Sequence, residues 1–483
     1  MPSLKRNVFY QSIYQIIITV LPLITVPYIS RVLGAENIGI YSYTFSITTY
    51  FIYFAMLGII TYGNRTIAIV RDNKEKLNQT FTDLFCLHLG ISVVVLFAYM
   101  IFCFIIAEQY KSIFSIQIFL IFAALLNINW LFTGLEQFRL TVARSAIIKI
   151  ISVICVFVFV RGVDDLWKYA LIMSLGEFFS QAILWIIRMK YVSFVKPTWS
   201  GVSSHIKPMC LLFIPVIAIS IYRVMDKIML GIMSEKTQLG FYENSDKIIV
   251  MILGFIFAFN NVMIPRISNI TAKGNLEEKM KLMHISMRYV ILFAFALSFG
   301  IASISNDFAS LFFGREFKDS GVLLAGLCIT IPFIAFGNVI YKQHLIPNSK
   351  DKIITIIFVI GALVNIISNL ILIPRFEAMG AVIGTIIVEI IVCILMVFAS
   401  RKSLPILDYM KTNIIFFFAG IAMYFLVRFI GTLMKLSVYA ILIQICIGAI
   451  FYISITLIYL YKTKDETFIN NVYKRIVAFK NKN

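Results

Sequence analysis

PMCLLFIPVIAISIYRVMDKIMLG (208–231) is apolar for its first twelve residues and then places Arg223, Asp226 and Lys227 within five positions. A run of about 20 apolar residues is what a helix needs to cross the ~30 Å hydrocarbon core of a bilayer. Fourteen stretches of this kind follow one another, from 8–30 and 38–62 to 412–431 and 437–461. They are rich in Ile, Leu, Phe and Val without period-two alternation, which predicts helices and argues against a membrane barrel. Of 483 residues, 60% are hydrophobic and 14% charged, against about 25% charged in a soluble domain. The mean hydropathy is +0.91. The expected fold is an all-α polytopic membrane protein of about 14 transmembrane helices.

Charge gives an orientation. With the N-terminus placed in the cytoplasm, thirty of the 43 Lys and Arg residues fall on the cytoplasmic side and ten on the other. That bias in short loops is the positive-inside pattern, and it puts both termini in the cytoplasm of a cytoplasmic-membrane protein. The net charge of +19 is then mostly this bias together with attraction to anionic headgroups, and nucleic acid is not an expected partner. The seven cysteines are scattered, without C-x-x-C or Cys/His ligand spacing, so neither a disulfide framework nor a metal site is expected. Lys5 and Arg6 precede the first apolar run with no small-residue cleavage site after it, which reads as a retained first helix.

Two segments rhyme. LPLITVPYISRVLGAENIGIYSY (21–43), continuing to YGNR (62–65), parallels IPVIAISIYRVMDKIMLGIMSEKTQLGFYEN (214–244), continuing to MIPR (263–266). Gly39 and Gly240, and Arg65 and Arg266, share an offset of 201 residues. Glu177 and Glu389 are a weaker echo, each in the middle of an apolar run. The rhyme predicts two pseudo-symmetric six-helix lobes, 1–200 and 201–400, followed by two extra helices and a tail in 401–483. An even number of spans per half gives parallel repeats, an architecture used by alternating-access transporters.

The intramembrane charges are the candidate site. A charge at a helix centre costs about 2.5–3.5 kcal/mol on insertion scales, so three on one turn-and-a-half should face protein or a wet cavity. Arg223 and Lys227 are i,i+4 and Arg223 and Asp226 i,i+3, which places all three on one face. Asp226 paired with Arg223 or Lys227 would be a structural alternative. Arg31 and Arg65 end the first two helices, Lys149 opens the fifth, and Glu243, Asp246 and Lys247 open the eighth. Cationic groups at Arg223, Lys227, Arg31, Arg65, Lys149 and Lys247 suit an anionic cargo, phosphate best, because Arg offers a planar fork and Lys a point charge. Asp226, Glu177, Glu389 and Asp246 are candidates for ion coupling or structural pairing. Tyr41, Tyr43, Phe241 and Tyr242 could stack on sugars. His88, inside the third helix, reads as a packed polar residue.

The segments NVFYQSIYQIIITVLPLITVPYISRVLGAENIGIYSY (7–43), YGNR-x-IA (62–68), NWLFTGLEQF (129–138), DKIMLG (226–231), LGFYENSDKI (239–248) and GAVIGTIIVE (380–389) resemble the Wzx-type polysaccharide repeat-unit flippases of the multidrug/oligosaccharidyl-lipid/polysaccharide (MOP) exporter superfamily. The resemblance implies a fourteen-helix fold and translocation of undecaprenyl-diphosphate-linked oligosaccharide from the inner to the outer leaflet, for capsule or O-antigen assembly. It implies membrane lipids, polysaccharide polymerase and chain-length proteins as partners. It implies no cofactor beyond coupling to a proton or sodium gradient. A teichoic-acid precursor flippase or a multidrug exporter of the same superfamily is the nearest alternative. A membrane polysaccharide polymerase is the rival of another class. No Walker A, H-E-x-x-H or G-x-S-x-G pattern is present, and the expectation is a protein without enzymatic activity.

Overall fold

The computed structural model describes residues 4–105, 107–272 and 275–463. Fifteen α-helices and no strand occur among them. Eleven helical stretches of the described residues are long and apolar enough to cross a membrane, so the chain is a multi-pass membrane protein. Two of the eleven, Val20–Val70 and Asp351–Ser400, have 51 and 50 residues. At 1.5 Å per residue each is about 75 Å long, more than twice the hydrocarbon thickness, and each covers two of the expected spans.

The first of these doubled stretches joins the part of helix α1 (Leu4–Met56) from Val20 onward to α2 (Ile59–Val70). Helix α1 breaks at Gly34, whose φ of 78° lies in the left-handed region, where a residue without Cβ carries no steric penalty. The second is α13 (Asp351–Ser400), broken at Glu377 with φ 49° and ψ −127°.

The helices form two compact units, 1–243 with 362–381, and 244–361 with 382–483. Between α2 and α13 lie α3 (Lys74–Ile105), α4 (Lys111–Leu125), α5 (Asn129–Gly134), α6 (Phe138–Phe159), α7 (Leu166–Arg188), α8 (Trp199–Met233), α9 (Lys236–Ala272), α10 (Leu276–Phe312), α11 (Ser320–Cys328) and α12 (Thr330–Ile340); α14 (Ile406–Leu433) and α15 (Val438–Lys462) follow it. Residues 236–243 of α9 and 362–381 of α13 belong to the first unit.

The first unit has its core where α2, α3 and α5 meet, around Ile59, Ile67, Phe81, Leu84, Trp130 and Phe132. Small residues bring these helices together. A Cβ on Gly63 would lie 2.9 Å from the Trp130 ring, and one on Gly134 would lie 2.7 Å from Ile67. The YGNR and NWLFTGLEQF segments are thus two halves of one packing contact. A polar girdle crosses the unit nearby. Thr48 Oγ1 donates to Gln117 Oε1 at 2.8 Å, Gln117 Nε2 donates to Thr44 Oγ1 at 3.0 Å, and the Tyr99 hydroxyl donates to Phe114 O at 2.8 Å. His88 is wholly buried, its Nε2 3.0 Å from Ala124 O.

In the second unit, α14 and α15 pack on α10. The Tyr452 hydroxyl donates to Leu292 O at 2.9 Å, and Phe417 meets Phe295 and Phe299 edge-on at 5.5 and 5.6 Å. Ser298 Oγ on α10 reaches Cys328 O at 2.7 Å. Helix α10 runs on to Phe312 and a 3₁₀ turn occupies Arg315–Lys318. Large apolar side chains such as Phe97, Phe104, Ile186 and Ile450 are exposed, as lipid-facing positions must be.

Candidate functional site

The repeat offset reappears as a spatial relation. A Cβ on Gly39 would fall onto the carbonyl of Lys236, and a Cβ on Gly240 onto the carbonyl of Ala35. Lys236 is the counterpart of Ala35 at the 201-residue offset, and Gly240 is the counterpart of Gly39. Each glycine therefore meets the partner of the other's neighbour, the reciprocal pattern of a two-fold relation. Ser42 Oγ donates to Glu243 Oε2 at 2.8 Å, again 201 residues away. Only glycine lets the two backbones approach this closely, so the rhyming Gly-x-Tyr segments form a tight seam. Its flank is aromatic. Lys236 Nζ lies 4.6 Å from the Tyr43 ring centroid and 5.6 Å from that of Tyr110, and it bonds to Gly231 O.

The three charges of α8 separate at this seam. Asp226 is 3% exposed. Its Oδ1 accepts from the side-chain amides of Asn365 at 2.7 Å and Asn369 at 2.6 Å, and its Oδ2 accepts from the Tyr242 hydroxyl at 3.1 Å. A carboxylate is an acceptor-only group that needs several donors when buried, and neutral amides meet that need here. Lys227 meets Glu243 at 2.8 Å, with the two side chains 18% and 12% exposed. Two amides thus serve Asp226, and Glu243 pairs with Lys227. Arg223 is exposed on the same helix, and its charge bears on the Tyr53 hydroxyl. Tyr242 is buried against Asp226 and Phe241 is buried, so neither presents a ring face for stacking. Tyr41 stacks on Phe45 at 5.7 Å and meets Tyr169 edge-on at 4.8 Å.

A second cluster lies inside the first unit. Residues of α1, α5, α6 and α7 surround a cavity of about 510 Å³ that Lys149 and Glu177 both line. Glu177 Oε1 accepts from Gln181 Nε2 at 2.7 Å, and the charges of Lys149 and Glu177 act on one another. Arg144 is 7% exposed within α6. Its guanidinium donates to Ser180 O at 2.6 Å, Ser145 Oγ at 2.9 Å and Asn129 Oδ1 at 3.2 Å.

The remaining sequence candidates are dispersed. Arg31 and Arg65 are exposed in the first unit, and Arg65 sits on α2. Asp246 and Lys247 lie half-buried on the part of α9 that belongs to the second unit, and Glu389 is buried in that unit near Cys393. Asn365, Asn369, Ser42 and Arg144 were not among the sequence candidates. Two asparagines four residues apart in the apolar run VNIISNLIL (364–372) put two amides on one helix face, a signal that was available.

A family model described as "Polysaccharide biosynthesis protein" matches residues 4–271, more than half of the chain. Two curated relatives bear the name "Putative O-antigen transporter". The Shigella dysenteriae protein is 24% identical over 388 residues, which is 79% of this chain and 96% of that protein. The Escherichia coli K12 protein is 24% identical over 406 residues, 83% and 97% of the two chains. Among solved structures, lipid II flippase MurJ in an inward closed conformation superposes with a TM-score of 0.77 at 16% identity, covering 94% of this chain and 99% of that one. An inward-facing multidrug resistance MATE family transporter of the MOP superfamily gives 0.61 at 14% identity, covering 81% and 96%. The fold is shared with these two solved structures, and by its sequence the chain belongs to the polysaccharide biosynthesis protein family.

Proposed function

We propose that the chain is a polysaccharide-precursor flippase that carries undecaprenyl-diphosphate-linked oligosaccharide repeat units from the inner to the outer leaflet of the cytoplasmic membrane by alternating access. The observation that carries this reading is the near end-to-end match to two proteins named as O-antigen transporters, on a chain whose own spans hold buried ionic groups. Catalytic chemistry has no role in it: the relatives are named as transporters, and the work is to solvate a polar headgroup while the lipid tail stays in the bilayer.

Within this reading Arg223 meets the diphosphate, helped by Arg31 and Arg65, since guanidinium groups replace the water that phosphate loses. Lys227 acts differently, because Glu243, which also accepts from Ser42, holds it at the seam. Breaking that pair is coupled to opening the seam. Asp226 is the best-supported coupling residue. Asn369 Oδ1 is buried without a hydrogen-bond partner, and amide orientation is an assignment that a bound ion can reverse. Turned over, Asn365 and Asn369 would add two oxygens to the Asp226 carboxylate, a donor set that suits a hard monovalent cation or a proton. Glu177, Glu389 and Asp246 are the alternatives. The tail and cytoplasmic loops would meet polymerase and chain-length proteins.

The test is transport of a fluorescent undecaprenyl-diphosphate glycan in inverted vesicles containing the purified chain. Transport that falls at least tenfold in Arg223→Ala, with normal expression, supports the reading. Undiminished transport removes Arg223 from it. Rescue of drug resistance in an exporter-deficient host, with no glycan transport, would favour the multidrug alternative. Preference for a glycerol-phosphate-bearing cargo would favour teichoic-acid precursors.

A further inference from the structure

The cavity inside the first unit has a chemistry of its own. Its volume of about 510 Å³ lies within the ~300–1,000 Å³ of small-molecule pockets. It follows α6 from Thr141 to Val156, about 22 Å along the helix axis. The wall changes along that length. Asn129, Arg144 and Gln181 gather where α6 begins and α7 ends, Lys149 and Glu177 stand midway, and Val153 and Met173 line the far end.

Asn, Gln, Glu and Arg carry planar heads that each present two polar atoms at fixed spacing. Here they are held in one chain: Arg144 to Asn129 at 3.2 Å, Asn129 Nδ2 to Gln181 Oε1 at 3.0 Å, and Gln181 Nε2 to Glu177 at 2.7 Å. Such a rack offers donors and acceptors in pairs to adjacent hydroxyls, while the aliphatic wall suits the C–H face of a ring. Two cations against one carboxylate leave the lining with a single net positive charge.

We infer that this cavity is a saccharide compartment, taking a mono- or disaccharide with one acidic substituent, whose hydroxyls are read by Asn129, Gln181 and Glu177 and whose acid group is met by Lys149. The choice of a sugar rests on the flippase reading; the cavity, the rack and the charge do not. A diphosphate fits less well, because Glu177 stands midway along the lining and opposes a second negative charge.

The full chain in lipid nanodiscs tests this by saturation-transfer NMR with methyl glucuronide and methyl glucoside as probes. The glucuronide is expected to give at least a threefold stronger signal than the glucoside. Lys149→Gln should bring the two level, and Ser152→Phe, which fills the cavity, should abolish both. No signal from either sugar, or equal signals in the native chain and Ser152→Phe, overturns the inference. A gentler variant keeps the test decisive should the phenylalanine disturb folding. Ser152→Cys alkylation, read by peptide-resolved mass spectrometry, should slow at least threefold with glucuronide present, and an unchanged rate overturns the proposal. Transport assays separate the two readings. If sugar protection holds while no lipid-linked glycan is moved, the flippase reading fails alone. If transport is intact in Ser152→Phe, the compartment fails alone.

Discussion

At the scale of single residues, the deciding feature is how the charges of one short stretch are divided among partners. Asp226 is held by two amides and a phenol. Asp226→Asn preserves shape and removes the charge that attracts a coupling ion. Glycan transport should fall at least tenfold while the melting temperature stays within a few degrees, and vesicle transport beside a thermal melt checks both. Lys227 presents the opposite case. Lys227→Ala leaves Glu243 buried without its cation, a loss that costs about 3–5 kcal/mol, whereas Lys227→Met with Glu243→Gln should recover most of it. A double-mutant cycle by chemical denaturation measures the coupling, and additive losses would show that the pair is not a unit. The sequence made these charges conspicuous, since ionic groups in an apolar run are costly. It could not reveal their partners, because Asn365 and Asn369 are 139 and 143 residues from Asp226 and an amide carries no sequence mark of what it will bond.

At the scale of elements, glycine sets the distances between helices. Gly39 and Gly240 were readable as repeat positions, but their use was not: a Gly-x-Tyr rhyme says nothing of which backbone comes close. The kinks divide too. The break at Gly34 falls on a residue that tolerates φ of 78°, while the break at Glu377, with φ 49°, lies in a region that other side chains avoid. The seam yields a prediction at this scale. Gly39→Leu puts a side chain where the Lys236 carbonyl lies, so the α1 and α9 segments can no longer close. Ser42→Cys, placed on the seam, should then react with a membrane-impermeant maleimide at least fivefold faster in the Gly39→Leu background than alone. Peptide-resolved detection separates it from the exposed native Cys210 and Cys446. Equal rates would mean that the seam opens without regard to this contact.

At the scale of the whole molecule, hydropathy and the 201-residue rhyme were legible because spanning a bilayer imposes length and composition on every helix, and these survive where specific contacts do not. The burial of Arg144 was not legible. It counts among the thirty cytoplasmic-side cations, whereas α6 begins at Phe138 and carries Arg144 into the protein. Removing one cation from a thirty-to-ten bias does not reverse its sign, so the orientation inferred from charge still places both termini in the cytoplasm. That orientation makes opposite demands on two reporters. Green fluorescent protein folds only in the cytoplasm and alkaline phosphatase only where its disulfides form. Fused after the last residue, the first should fluoresce and the second stay inactive. Inserted at the turn around Arg315, between α10 and α11, the phosphatase should be active. The turn and the C-terminus are separated by an odd number of expected spans, so they cannot share a side. Phosphatase activity at the terminus, with none at Arg315, would invert every side assignment.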